Sequence, residues 1–138
     1  STSGRQRQMC IRDREMVTGG KISESAYLCL KLAWIYRGEI QEAKANGAAQ
    51  ERISMYEKYE KEYLEDAYRG FKQARETEYP PIAGMDENTI TYLLTSIGIH
   101  CGKIDEARRY GSALLISRTA SMKLKNKTRD VLETIKKN

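Results

Sequence analysis

One histidine, His100, serves the whole 138-residue chain. A histidine-based nucleophilic site would need Cys29 or Cys101 beside it. Cys101 is its chain neighbour on a helix and points about 100° away. Cys29 lies in the most apolar stretch, where a thiol is normally inert. His100 with Cys101 also lacks the spaced pairs that hold a metal. Gly19-Gly20 is not followed by Gly-Lys-Ser/Thr, so there is no phosphate-cradling loop. Three widely spaced cysteines, Cys10, Cys29 and Cys101, make no disulfide framework and suit a reducing, cytoplasmic setting. No run approaches the roughly 20 apolar residues that span a bilayer. A cationic start, apolar stretch and small-residue cleavage site are missing too, so a secretory signal is not expected. No catalytic residues, metal, cofactor or membrane partner are therefore expected.

Two prolines, one phenylalanine and few β-branched runs leave a chain rich in Ala, Leu, Glu, Lys and Arg. These residues lose little on entering a helix. With 40% apolar and 31% charged residues the composition is globular, and the length suits one domain with its own core. Nine tyrosines are the main aromatic resource, for packing or for a binding face.

The first fourteen residues read differently. Ser1-Thr2-Ser3-Gly4 has the look of a cloning remnant. Arg5-Gln6-Arg7-Gln8-Met9-Cys10-Ile11-Arg12-Asp13-Arg14 resembles the in-frame translation of an adaptor used in DNA sequencing libraries. Residues 1–14 are set aside as a scar, and 15–138 are expected to form a single helical domain. On this reading natural sequence upstream is missing. The scar matters for charge. Arg5, Arg7, Arg12 and Arg14 against Asp13 give +3 of the chain's +5, leaving +2 elsewhere. Much of the apparent case for nucleic-acid binding goes with it.

Periodicity predicts five helices. The first runs from about Ser23, as N-cap, to Ala45, and Asn46-Gly47 stops it. From Ala26 to Tyr36 nearly every face is apolar, so this helix is expected to be surrounded by others and Trp34 to be core. The second runs from about Ala48 to Glu78 on a stripe of Tyr56, Tyr59, Tyr63, Ala67, Phe71 and Ala74, and ends before Pro80-Pro81. Asp86 caps a third with the stripe Ile90, Leu93, Leu94, Ile97 and Cys101, broken by Gly102. Lys103 or Asp105 opens a fourth. A fifth, about Ser121 to Lys136, is to bury Leu124, Thr128, Val131, Leu132 and Ile135. The fold class is all-α, in antiparallel helical hairpins.

Two spacings resemble tetratricopeptide (TPR) pairs: Ala67-x3-Phe71-x2-Ala74 followed by Pro80, and Gly102-x4-Ala107. Small residues are needed there because two helices cross closely. A narrower likeness rests on Leu32-Ala33-Trp34-Ile35-Tyr36-Arg37, Pro81-Ile82-Ala83-Gly84-Met85-Asp86-Glu87, Tyr92-Leu93-Leu94 and Gly102-Lys103-Ile104-Asp105-Glu106-Ala107. Over roughly residues 24–117 the chain resembles the C-terminal helical half of the DUF2225 family of bacterial proteins, common in Firmicutes. The resemblance implies a TPR-like helical fold. It implies no activity, since none is established for the family. Family members typically carry an N-terminal zinc-ribbon-like part, of which this chain has no Cys-x-x-Cys pair.

Arg37, Tyr92 and His100 are the candidate partner-binding residues. Arg37, beside Trp34 and Tyr36, is poised either to grip a partner's carboxylate or to answer one within its own fold. The expected function is a non-enzymatic module that takes a protein or peptide in a helical groove, or a second copy of itself. The alternative is a nucleic-acid-associated regulatory protein whose missing zinc ribbon supplies much of the contact. Lys123, Lys125, Lys127 and Arg129 are its only support in this chain, and a solvated helix face is the better account of them.

Overall fold

Residues 21–136 are described by the structure, a computed structural model. Among them are five α-helices and no β-strand, an all-α fold. They are α1 (Ile22–Ala45), α2 (Gln50–Thr77), α3 (Glu87–His100), α4 (Ile104–Leu115) and α5 (Met122–Lys136). The chain divides into two compact units at Gly70/Phe71, within α2. Residues 1–14, set aside above as an expected scar, and Cys10 with them, lie outside the described residues.

In the first unit α1 and α2 form an antiparallel hairpin. Contacts pair low numbers with high ones: Tyr36 with Tyr59, Arg37 with Glu60, Ala26 with Gly70. The turn is built by Asn46-Gly47, as the sequence predicts. Gly47 takes φ +67, and the amides of Gly47 and Ala48 donate to Lys44 and Ala43 carbonyl oxygens at 3.3 and 2.9 Å. That pair of bonds satisfies carbonyls that every helix end leaves open. Gly102, at φ +76, ends α3 in the same way. Ala26, Cys29, Leu30, Ala33, Leu64, Ala67 and Tyr68 are buried along the hairpin, and Ile40, Ala43 and Ile53 close its turn end.

Two expectations for α1 need correction. Its N-cap is Lys21, which makes no side-chain capping bond, and Ser23 is the second helical residue, buried. The helix is also not enclosed. Trp34 is 50% and Ile35 58% exposed. The physical reason is that one partner, α2, covers one side of α1. Buried Ala26, Leu30, Ala33 and Ile40 face it, and Trp34 lies about 100° around the helix from Ala33. An apolar residue can be part of a helix without being part of its core. Trp34→Ala is therefore expected to cost under about 1 kcal/mol, far below the roughly 3–5 kcal/mol of a core tryptophan. Thermal melts at low protein concentration check this, and the indole emission should sit where water-exposed tryptophan emits.

In the second unit the end of α2 packs with α3, α4 and α5. Phe71, Ala74, Ile82, Ile90, Leu94, Ile97, Ala107, Leu114 and Ile135 form its core. Arg75 donates to Thr91 Oγ1 at 3.2 Å and lies over the Tyr110 ring, while Lys72 meets Glu106 at 2.9 Å. The Pro-Ile-x-Gly-Met-Asp string is a tight turn in which Ile82 and Met85 exchange backbone bonds of 2.8 and 3.0 Å. Ile82, 1% exposed, anchors it. The turn delivers Asp86, whose Oδ1 accepts from the Thr89 amide at 2.7 Å, the predicted cap of α3. That bond holds the Asp86 carboxyl below the usual carboxylate range. A lowered folded-state pKa means stability present above the unfolded value and lost as pH falls through the folded one. Asp86→Ala is expected to cost about 0.5–2 kcal/mol near neutral pH. The difference from the parent should fade as acid protonates Asp86, which melts at a series of pH values would follow.

Lys103, not Asp105, stands at the start of α4, and Ser121 starts α5 by accepting from the Leu124 amide at 3.1 Å. Thr128 and Ile135 are buried on α5 as expected, whereas Leu124, Val131 and Leu132 are half-buried, because α5 is the last helix and is covered on one side.

Candidate functional site

The aromatic resource of the chain gathers in the first unit. Tyr36 of α1 lies among three α2 tyrosines, with ring centroids 5.9 Å from Tyr56, 5.2 Å from Tyr59 and 5.9 Å from Tyr63. The three recur at helical spacing, which is why α2 presents them as one row. All four rings are half-buried, so the tyrosine stripe is neither core nor open surface. Burial first, then the neighbouring tyrosines and Glu39, pushes the Tyr36 phenol above its ordinary value. Beside this cluster Arg37 Nε donates to Glu60 Oε2 at 2.9 Å. Of the two roles read for Arg37, the structure shows it answering a carboxylate of its own hairpin. Next to Arg37 on the chain, Trp34 and Ile35 carry the exposed apolar surface of α1. Tyr27 and Lys31 continue that side of the helix, with Lys31 Nζ 4.6 Å from the Tyr27 ring centre.

The other two candidates belong to the second unit. Tyr92 is half-buried on α3, and its phenol is raised by burial and then by Asp130 of α5. His100 is exposed at the last residue of α3. Eight residues apart, they lie about 80° around and about 12 Å along the helix, so they do not share a face. Arg37, Tyr92 and His100 are thus not brought together as one site within either unit. The exposure of Trp34 and Ile35 escaped the sequence reading. The available signal was the alternating four-and-three spacing of the residues on the far side of α1 from its core stripe.

A second surface surrounds the start of α5. A hollow of about 210 Å³ is lined by Asp86, Asn88, Thr119, Ser121, Lys123 and Lys127, among others. Asn88 donates to Thr119 Oγ1 at 2.9 Å and Ser117 to Asn88 Oδ1 at 3.3 Å, which ties the α4–α5 connection to α3. Small-molecule sites usually occupy about 300–1,000 Å³ and are largely apolar. This hollow is smaller, and its wall holds both lysines and a carboxylate. Among the described residues there is no cluster of three or more potential metal ligands. Cys29 is buried and Cys101 half-buried, on different units.

These features define a class: helical-hairpin domains whose distinctive surface is an exposed aromatic and aliphatic helix face. The chain belongs to the DUF2225 family, described as an uncharacterized protein conserved in bacteria, with the match running over residues 9–135. It thus begins inside the adaptor-like stretch and extends through α5, beyond the 24–117 span of the sequence likeness. No curated protein and no solved structure matches the chain. No helix among the described residues is long and apolar enough to cross a membrane.

Proposed function

We propose that this chain is a non-enzymatic interaction module, TPR-like in its use of helical hairpins, that docks a protein partner through α1. The observation that carries this reading is the adjacent exposure of Trp34 and Ile35, 50% and 58%, on a helix braced from behind by the tyrosine cluster. Tryptophan and tyrosine are enriched where protein surfaces meet, and a rigid backing lowers the ordering cost of binding. Cytoplasmic action fits the wide spacing of its three cysteines in sequence.

The test is site-specific photo-crosslinking in bacterial cells, with the reactive side chain at Ile35 and, as control, at exposed Lys58. Discrete protein adducts at position 35 that are weak at 58 would support the module. Equal or no adducts at both positions would overturn it.

A nucleic-acid role is the competing reading, favoured by Lys123 and Lys127 around the positive start of α5, whose first turn holds no acidic residue. Affinity for a polyanion rises with the number of phosphates neutralised, and a few cations on one helix neutralise few. A chain lacking residues 1–14 is expected to bind random DNA and RNA no tighter than about micromolar at physiological salt. Sub-micromolar binding abolished by neutralising Lys123, Lys125, Lys127 and Arg129 would reverse the order of the two readings.

A further inference from the structure

Gly38 sits in the interior of α1, exposed, and a Cβ added there would meet nothing within 4 Å. Glycine weakens a helix interior relative to alanine. Within its own chain, then, this position carries a cost with no packing reason. It contrasts with Gly70, where an added Cβ would fall 2.6 Å from Ala26 Cβ.

The neighbours of Gly38 supply a reason. Tyr27, Lys31, Trp34, Gly38, Gln41 and Ala45 follow spacings of four, three, four, three and four. In a helix of 3.6 residues per turn this is one straight stripe of five turns, the spacing of a helix–helix seam. All six are exposed or half-buried. The stripe is also complementary to its own reverse. Lay a second copy antiparallel about a two-fold axis level with residue 36. Trp34 then falls opposite Gly38 of the other copy, Tyr27 opposite Ala45, and Lys31 opposite Gln41. The two aromatic side chains each meet a small residue, glycine or alanine, and Lys31 meets a polar one. That two-fold axis keeps like flanks on the same side. Ile35 therefore meets its own counterpart across the axis, and on the same flank Lys31 lies one residue's rise from the level of Glu42, an opposite charge. Self-complementarity of this kind is what a symmetric dimer requires.

We infer that α1 is a homodimer seam in which Trp34 of each copy packs on Gly38 of the other. This rests on the reading of α1 as a docking face and names its partner as a second copy of the chain. The stripe is about 27 Å long and a helix about 10 Å wide, so the seam covers roughly 300 Å² per copy. That is well under the roughly 800 Å² per partner of standard stable complexes. The dimer is accordingly weak and reversible, formed at high local concentration and lost on dilution.

Sedimentation equilibrium of the full chain between about 1 and 500 µM tests it, the dissociation constant lying in the micromolar range or above, as for other small transient contacts. Gly38→Gln fills the space that Trp34 of the other copy needs. It should weaken association at least tenfold while raising the melting temperature of the dilute monomer by a few degrees, because a better helix former replaces glycine. Loss of dimer with gain of stability cannot come from misfolding. Lys31→Glu and Glu42→Lys should each weaken the dimer, and together restore it. A chain monomeric throughout the range, or a dimer indifferent to Gly38→Gln, would overturn the seam. If the chain is monomeric while crosslinks at position 35 still capture another protein, the second copy is excluded and the docking face stands.

Discussion

Replacing Phe71 with alanine is expected to cost about 3–5 kcal/mol, the range for a fully buried aromatic side chain. Phe71 is the largest of the fully buried side chains, with 0% exposure, at the head of the second unit's core. The loss combines burial of apolar surface with the vacancy left behind, since neighbouring helices relax only partly into it. A domain of this size has a net stability of about 5–15 kcal/mol, so one substitution removes a large share. Thermal unfolding followed by circular dichroism should show a midpoint lowered by roughly 10–20 °C. Phe71→Leu, which keeps much of the volume, should lose considerably less. A midpoint within about 3 °C of the parent for Phe71→Ala would show that Phe71 is not packed as described.

Gly70→Val should be comparably harmful, for the opposite reason. Here the helices of the hairpin touch, and an added Cβ lands 2.6 Å from Ala26 Cβ and 3.4 Å from Ala26 Cα. An alanine Cβ cannot rotate away, so α1 and α2 must separate. Overfilling a packed site typically costs about 1–3 kcal/mol, and a branched side chain adds to that. Gly70→Ala should still destabilise, although alanine gains about 1 kcal/mol in helix propensity. Gly111 is the internal control. Its Cβ would meet Leu132 Cδ1 at 2.9 Å, but that is the end of a flexible side chain that can adopt another rotamer. Gly111→Ala should therefore be near neutral. Equal effects at the two glycines, measured by urea unfolding, would show that the α1–α2 contact is looser than the distances imply.

Helix number, type and stop signals were legible because they depend on neighbours in sequence. Asp86 caps α3, and Gly47 and Gly102 end helices, through bonds that span only a few residues. The hairpin turn followed from Asn46-Gly47 for the same reason. Trp34 was misread because apolar character on many sides of a helix does not say how many partners surround it. Arg37 was legible only as a pair of alternatives. Its ion pair with Glu60, 23 residues away and at 2.9 Å, is a product of the fold.

That the chain is all-α, that its helices begin and end where they do to within a residue or two, and that α2 carries a tyrosine row can be read from the residues alone. Hydrogen bonds and side-chain spacing within a few turns suffice for that. Tertiary structure decided which of α1's apolar residues were covered, that Tyr36 sits among the α2 tyrosines, and which glycines are crowded. Gly70 and Gly38 are alike in sequence terms, both single glycines inside helical runs. One meets Ala26 and the other open space, because burial is set by the packing of distant segments and not by the local chain.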